Sequence, residues 1–204
     1  MPLNQSKMRS LMEEILQDDY MELEVDHYRL DESFVDGRSK IRCQMKALNG
    51  EQAPVEVHGE GVGTIDALFA GLKDRLAEDY PSLRSIEFSQ FGIKGLISGD
   101  ERVASAKSEA EATVGIINSE GKEFVFEARV PSVSQAGIQA TVKAVEYFVN
   151  SERTYVKLHE ILEHYRSEGR TDLVEKYTDL MSQVVQNTSY SEVVEQIRSS
   201  MVND

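Results

Sequence analysis

The sequence of 204 residues has one cysteine, no tryptophan and only four prolines. A single cysteine can form neither an intramolecular disulfide nor a zinc site built from several cysteines. Basic residues are also scarce, because 22 Lys and Arg stand against 36 Asp and Glu. The resulting net charge of −14 argues against binding to nucleic acid or to an anionic membrane surface, since both need clustered basic side chains.

Long apolar segments are missing as well. No apolar run approaches the ~18 residues of a membrane span. The N-terminal segment lacks the continuous apolar core of a signal peptide. Apolar residues still make up 40% of the chain, which is enough to bury a core. Together these features predict a soluble, cytoplasmic protein.

Residue types that catalyse reactions or bind metals show no informative arrangement. His159 and His164 are five residues apart, so on a helix they point in different directions instead of toward one zinc ion. Cys43 lies on the apolar side of a predicted strand, which favours burial over nucleophilic chemistry. We therefore predict no catalytic residue, no metal ligand and no cofactor.

Two stretches of the chain repeat one order of predicted elements. Apolar residues alternate in three segments, which predicts strands, and then recur every three or four residues, which predicts a helix. An offset of 71 residues superimposes strands of the two stretches, and an offset of 73 superimposes their helices. The repetition predicts an α+β fold of two βββα units, about residues 19–80 and 81–150, that form one domain.

Irregularities in the alternation predict further details. The alternation shifts by one residue after His27, which predicts a β-bulge in the first strand. A similar shift near Gln90 lies inside a strand predicted from Leu83 to Ile97. Asn49-Gly50 predicts a hairpin between the second and third strands.

The ends of the chain differ from the repeat. Residues 1–18 contain one predicted amphipathic helix. Residues 151–204 show no strand pattern and are predicted to form three amphipathic helical segments, with Ser189 as the N-cap of the last. We expect this helical extension to pack on the sheet domain or on a partner.

The glycine-rich segment 59–63 lies where a strand meets a helix. Free backbone N–H groups at a helix N-terminus can bind an anion. The spacing of the glycines matches neither a dinucleotide fingerprint nor a P-loop, so a tight structural turn is an equally good explanation.

Residues 59–72 read G-E-G-V-G-T-I-D-A-L-F-A-G-L and resemble the C-terminal allosteric (dimerisation) domain of 2-isopropylmalate synthase, which citramalate synthases also carry. Four residues match the family's turn before its first helix, although Thr64 replaces a proline there: Gly61, Gly63, Asp66 and Ala67. Further segments match in the same order, namely 23–30, 88–96, 108–116 and 131–140. The resemblance covers about residues 20–150 and implies two βββα units, in agreement with the repeat.

The resemblance also implies a function. The family enzymes place a metal-dependent TIM barrel before this domain, and such a barrel needs about 250 residues. We therefore expect a stand-alone regulatory module of leucine biosynthesis without synthase activity. The implied partners are a second copy of the chain, in a homodimer, and a separate synthase catalytic subunit.

An effector site near the dimer interface is implied as well, for a branched-chain amino acid or a 2-oxo acid. Nine positions match that site: Gly61, Val62, Gly63, Ile65, Phe88, Gln90, Phe91, Gly95 and Pro131. The backbone of the glycine turn would bind the carboxylate, and Ile65, Phe88 and Phe91 would line the apolar pocket. Gln90 replaces an aspartate of the family, which predicts weak pairing with an ammonium group. The alternative hypothesis is an interaction scaffold whose C-terminal helices dock a partner and that binds no small molecule.

Overall fold

The structure, a computed structural model, describes residues 5–49, 54–96 and 109–188. The elements follow in chain order as helix α1 (Gln5–Leu16), strands β1 (Leu23–Ser33), β2 (Arg38–Ala47) and β3 (Val55–Gly61), helix α2 (Thr64–Leu76), strands β4 (Glu87–Leu96), β5 (Glu109–Ile117) and β6 (Glu123–Val130), and helices α3 (Val133–Ser167) and α4 (Thr171–Thr188). Short 3₁₀ turns at Gln17–Asp19 and Pro81–Ser85 follow α1 and α2.

The six strands form two antiparallel sheets, ordered β1-β2-β3 and β4-β5-β6. Each sheet is followed by a helix, so the predicted α+β fold of two βββα units is confirmed. The pairing of β1 with β2 shifts between Val25 and His27, and the pairing of β4 with β5 shifts between Phe88 and Gln90. The bulge predicted after His27 is therefore present, and the second unit repeats it 63 residues later.

One core unites the two units. Helix α2 packs on β2 and β3, helix α3 packs on β5 and β6, and the two helices contact each other. The alternating residues Ile41, Cys43 and Met45 of β2 are all buried. Burial raises the pKa of the Cys43 thiol to about 11, so this cysteine stays protonated and packs as a small apolar residue.

One sequence prediction around the strands was wrong. The segment from Pro81 to Ser85 forms a 3₁₀ turn, and β4 begins only at Glu87, because proline favours the start of a helical turn. Strands β2 and β3 pair as an antiparallel hairpin, as predicted, and residues 48–54 connect them; Gly50 itself lies outside the described residues. The Asn49 amide donates to the carbonyl of Tyr20 at 3.1 Å and ties the connecting segment to the chain before β1.

Helix α3 passes through the predicted boundary between residues 150 and 151 without a break. It begins after Ser132, whose side chain accepts a bond from the N–H of Gln135 at 3.4 Å, and it ends before Gly169, which has a positive φ of 68°. Helix α4 then packs along α3 and extends to Thr188, through part of the predicted break at 186–189. The helix predicted from Ser189 lies outside the described residues.

Each unit's helix also binds the beginning of the other unit's first strand. Lys73 of α2 donates to the carbonyl oxygen of Ile86, just before β4, at 2.7 Å. The Glu146 carboxylate of α3 accepts from the N–H of Leu23, the first residue of β1, at 2.5 Å. The offset of 73 that relates the helices carries Lys73 onto Glu146, and the offset of 63 that relates the bulges carries Leu23 onto Ile86. The two bonds therefore occupy equivalent places in the repeat.

Candidate functional site

Glycines bring β3 and α2 into backbone contact. A Cβ atom on Gly59 would lie 1.8 Å from the carbonyl oxygen of Ala67, and one on Gly71 would lie 2.7 Å from the carbonyl oxygen of His58. Any side chain at these positions would push the helix off the strand. Close helix packing therefore explains Gly59 without a bound anion.

Two carboxylates stand at the N-terminus of α2. The Asp66 side chain accepts from the N–H of Val62 at 3.0 Å. The Glu32 carboxylate accepts from the hydroxyl of Thr64 at 3.1 Å and from that of Ser39 at 3.0 Å. Negative groups are favourable at this end of a helix because of the helix dipole. The N-cap residue Gly63 has no side chain that could cap the helix, so the first-turn N–H groups lack a side-chain cap from this residue.

The structure brings Ile65 and Phe91 together at Gly137 of α3. A Cβ atom on Gly137 would lie 2.6 Å from Cδ1 of Ile65 and 3.4 Å from Cζ of Phe91. The nearby Phe88 is half-buried, and its ring packs against Phe69 with 5.8 Å between the ring centroids. Gly137 was not among the residues predicted for the site, although it lies in the matched segment 131–140. A glycine inside a helix indicates that another segment packs closely against it.

Other predicted site residues lie apart from this contact. A Cβ atom on Gly115 would lie 2.5 Å from both Cγ of Gln90 and the hydroxyl of Ser89. Because the bulge places both side chains over Gly115, Gln90 lies on the outer face of its sheet, opposite to Phe91. Gly95 is exposed near the end of β4, and Pro131 is exposed immediately before α3.

An exposed apolar patch surrounds the contact at Gly137. We define it by four side chains with their exposed fractions: Val62 (85%), Phe91 (43%), Ile93 (39%) and Val133 (56%). Phe91 and Ile93 are two residues apart, so they share the inner face of β4, and Val133 lies one helical turn before Gly137. The patch is exposed because α3 covers mainly β5 and β6 and leaves the inner face of β4 largely open.

Other kinds of site find little support among residues 5–49, 54–96 and 109–188. They contain no cluster of three or more His, Cys, Asp or Glu residues placed to hold a metal ion. None of the helices described there has the length and apolarity to cross a membrane.

Residues 3–149 match the family model described as the LeuA allosteric (dimerisation) domain. No curated protein matches the chain significantly. The matched range contains α1, both sheets, α2 and the first half of α3, and it extends over most of the sequence. It includes the glycine turn, the bulged strands and the contact at Gly137. The chain therefore belongs to the LeuA allosteric (dimerisation) domain family.

Proposed function

We propose that this chain is a regulatory module that forms a homodimer and binds a branched-chain amino acid beside the dimer interface. The observation that carries this proposal is the apolar patch at the N-terminus of α2, in a member of a dimerisation-domain family. Contiguous exposed apolar side chains with polar groups around them mark interaction surfaces. A second copy of the chain would cover the patch.

The open inner faces of the two first strands support the same arrangement. Tyr28 and Leu30 of β1 are half-buried, although they stand opposite the buried Cys43 and Ile41 of β2. Helix α2 covers β2 and β3 in this sheet, as α3 covers β5 and β6 in the other. Both units thus leave the inner face of their first strand for a partner chain.

The polar groups at the N-terminus of α2 suit a zwitterion. The first-turn N–H groups would bind the carboxylate of the ligand. Glu32 and Asp66 would accept from its ammonium group, and Ile65 with Phe91 would contact its apolar side chain. A 2-oxo acid would bring its negative charge to the same two carboxylates without an ammonium, so an amino acid is the better ligand.

The scaffold hypothesis has less support in the described part of the extension. Residues 151–185 present no exposed large hydrophobic side chain. Tyr177, Leu180 and Met181 of α4 pack against the core instead. We accordingly propose that a separate synthase catalytic chain would respond to the effector and that this chain has no synthase activity of its own.

Light scattering after size exclusion tests the homodimer. We expect a mass near twice 23.0 kDa for the wild type at micromolar concentration. Ile93→Glu places a charge in the patch and should give a monomer. Val125→Glu is the matched control, since Val125 has the same exposed fraction of 39% but lies on β6, away from the patch. A monomeric wild type would contradict the dimer.

Calorimetric titration tests the ligand. Leucine, isoleucine and valine should bind, and their 2-oxo acids should bind more weakly. Glu32→Gln should weaken leucine binding about tenfold, because an amide replaces the charged partner of the ammonium. Glu24→Gln on the same strand, where Glu24 pairs with Lys46 at 2.8 Å, should leave leucine binding unchanged. If none of the six compounds binds to a dimeric protein, a purely dimerising scaffold replaces the effector proposal.

A further inference from the structure

A cavity separate from the α2 N-terminus lies between α1, the edge strand β6 and α3. Its volume is about 420 Å³, within the range of small-molecule sites. Its walls include Arg9 of α1, Tyr20 between α1 and β1, and Lys143, Glu146 and Tyr147 of α3. None of the nine positions predicted for the effector site lines it.

The hydroxyl of Tyr147 is buried beside the cavity. The residue is only 4% exposed, and its hydroxyl has no hydrogen-bond partner among the described residues. Buried polar atoms without a partner are rare, because they lose their bonds to water and gain none in return. The hydroxyl has less than 1 Å² of accessible surface, so it lies behind the cavity wall and does not contact a molecule in the cavity.

Two basic side chains of the cavity wall keep hydrogen-bond donors for a ligand. The Nε of Arg9 donates to Glu13 at 3.0 Å, which leaves the two Nη groups of the guanidinium for a ligand. The Lys143 ammonium donates to the carbonyl of Glu127 at 3.1 Å and retains two further protons. These two cations favour an anionic ligand between them.

The edge of β6 adds backbone donors. The carbonyl of Val125 accepts from Nε2 of Gln5 at 3.0 Å, and that of Glu127 accepts from Lys143. The backbone groups of these two residues therefore point away from β5. In an antiparallel strand the N–H of a residue points to the same side as its carbonyl, so the N–H groups of Val125 and Glu127 also face outward from the sheet edge.

The deeply buried carboxyl of the wall belongs to Glu146, and it repels a bound anion less below about pH 7. Glu146 accepts from the N–H of Leu23, and burial raises its pKa to about 7. Nearby Arg9 and Lys143 lower this pKa, and Glu22 raises it. The carboxyl is thus largely neutral below that pH. Glu127 also lines the cavity and Glu13 pairs with Arg9, but both carboxylates are exposed to solvent, which screens their charge.

Aromatic rings form the apolar part of the wall. Phe126 of β6 packs edge-on against Tyr147 with 5.5 Å between the ring centroids, and Tyr20 faces the same space. Flat apolar surfaces of this kind suit an aromatic or branched hydrocarbon group.

We propose that this cavity binds a small organic carboxylate with an aromatic or branched apolar body. The carboxylate lies at Arg9 and Lys143, and the apolar body packs against Tyr20 and Phe126. The site is independent of the proposed effector site, because no residue is common to the two.

Phenylacetate is the probe for this site, titrated into the full chain by calorimetry or by NMR. Phenylacetamide and 2-phenylethylamine serve as the neutral and the cationic compounds of similar shape. Phenylacetate should bind best of the three. Arg9→Gln should weaken its binding at least about tenfold. The matched control is Arg75→Gln on α2, because Arg75 forms a similar pair with an acidic residue four positions later and lies away from the cavity.

Two further variants distinguish a ligand site from a structural role. Tyr147→Phe should leave phenylacetate binding nearly unchanged, since the hydroxyl lies behind the cavity wall and makes no bond within the described chain. Glu146→Gln should strengthen binding above about pH 7 and have little effect below it, because only the ionised carboxylate repels the ligand. Arg9→Gln should leave leucine binding unchanged. A negative result for the phenylacetate site would therefore not count against the proposed amino-acid site.

The proposal is overturned by any of three results. The first is no binding of phenylacetate at millimolar concentration. The second is tighter binding of 2-phenylethylamine than of phenylacetate. The third is phenylacetate binding that Arg9→Gln does not change.

Discussion

The two βββα units share one order of strands and helix but hold their helices at the sheet in different ways. In the first unit, Gly59 and Gly71 let β3 and α2 meet backbone to backbone. In the second unit, large rings fill the interface, where Phe124 packs edge-on against Phe148 with 5.2 Å between the ring centroids. One topology thus accommodates a thin and a thick helix–sheet layer. The thick layer is also the one beside which the cavity opens at the edge of β6.

The bonds that join the units show the same contrast in polarity. Lys73 binds a carbonyl oxygen at the start of β4, whereas Glu146 binds an N–H group at the start of β1. The positions are equivalent in the repeat, but donor and acceptor are exchanged. Burial lowers the pKa of the Lys73 ammonium and raises that of the Glu146 carboxyl, so both positions favour the uncharged form. A repeated fold can therefore keep the place of an interaction while its chemistry inverts.

The largest effect is expected for Gly59→Ala in the thin layer. The new methyl group would overlap the carbonyl oxygen of Ala67, and backbone atoms cannot move aside as a flexible side chain can. We expect the free energy of unfolding to fall by about 3 kcal/mol or more. Urea denaturation followed by circular dichroism measures this change.

Gly92→Ala is the control for that experiment. A Cβ atom on Gly92 of β4 meets nothing within 4 Å, so the substitution should leave the free energy of unfolding nearly unchanged. Equal stability of the Gly59→Ala and Gly92→Ala variants would contradict the close backbone contact between β3 and α2.

Glu146→Gln is expected to have the next largest effect, and it depends on pH. The pKa of about 7 in the folded state exceeds the ordinary glutamate value of 4.5, so the folded state favours the protonated carboxyl. Ionisation of Glu146 therefore lowers the free energy of unfolding of the wild type as pH rises from about 4.5 to about 7. The loss reaches about 2–3 kcal/mol at the upper end of this range. The amide of glutamine still accepts from Leu23 and does not ionise.

The measurement is the difference in free energy of unfolding between Glu146→Gln and the wild type, across this pH range. The variant should gain on the wild type as pH rises. A difference that is the same at about pH 5 and about pH 8 would contradict a raised pKa for Glu146.

Lys73→Met tests the corresponding bond of the first unit. Methionine retains the apolar stem but leaves the carbonyl of Ile86 without its donor at 2.7 Å. We expect a loss of about 1–2 kcal/mol in the free energy of unfolding, because an unpaired carbonyl remains. Lys143→Met is the control, since the exposed Lys143 binds a carbonyl at the sheet edge that water can reach; its loss should stay below about 0.5 kcal/mol. Equal losses would mean that the bond to Ile86 has no special place in joining the units.

Much of this fold could be predicted from the sequence, because local patterns determined it. Alternation in β2 and the repeat between the units identified two βββα units, and the shift after His27 identified a bulge. The continuity of α3 through residue 150 could not be predicted in this way. Asn150 is a polar residue in mid-helix, and only its two hydrogen bonds to the distant Met21 explain its burial there.

The surroundings of the candidate sites depend on contacts between distant segments. Resemblance indicated the glycine turn and Phe91, but the approach of Glu32 to Thr64 joins residues 32 positions apart and leaves no local pattern. Gln90 illustrates the opposite case, because the bulge reverses the face on which its side chain lies. The cavity beside Tyr147 likewise depends on how α1 lies against β6 and α3.

The smallest effect is expected for Tyr147→Phe, compared with Tyr20→Phe at the same cavity. Both tyrosines are mostly buried, with exposed fractions of 4% and 9%. The Tyr20 hydroxyl interacts with the Asn150 side chain, which opposes the rise that burial causes in the pKa of this tyrosine, so loss of the hydroxyl should cost about 1 kcal/mol in the free energy of unfolding. The Tyr147 hydroxyl has no partner among the described residues, so its removal should change that free energy by less than about 0.5 kcal/mol, or raise it slightly. If Tyr147→Phe lowers the free energy of unfolding as much as Tyr20→Phe does in the absence of ligand, the Tyr147 hydroxyl has a hydrogen-bond partner within the protein.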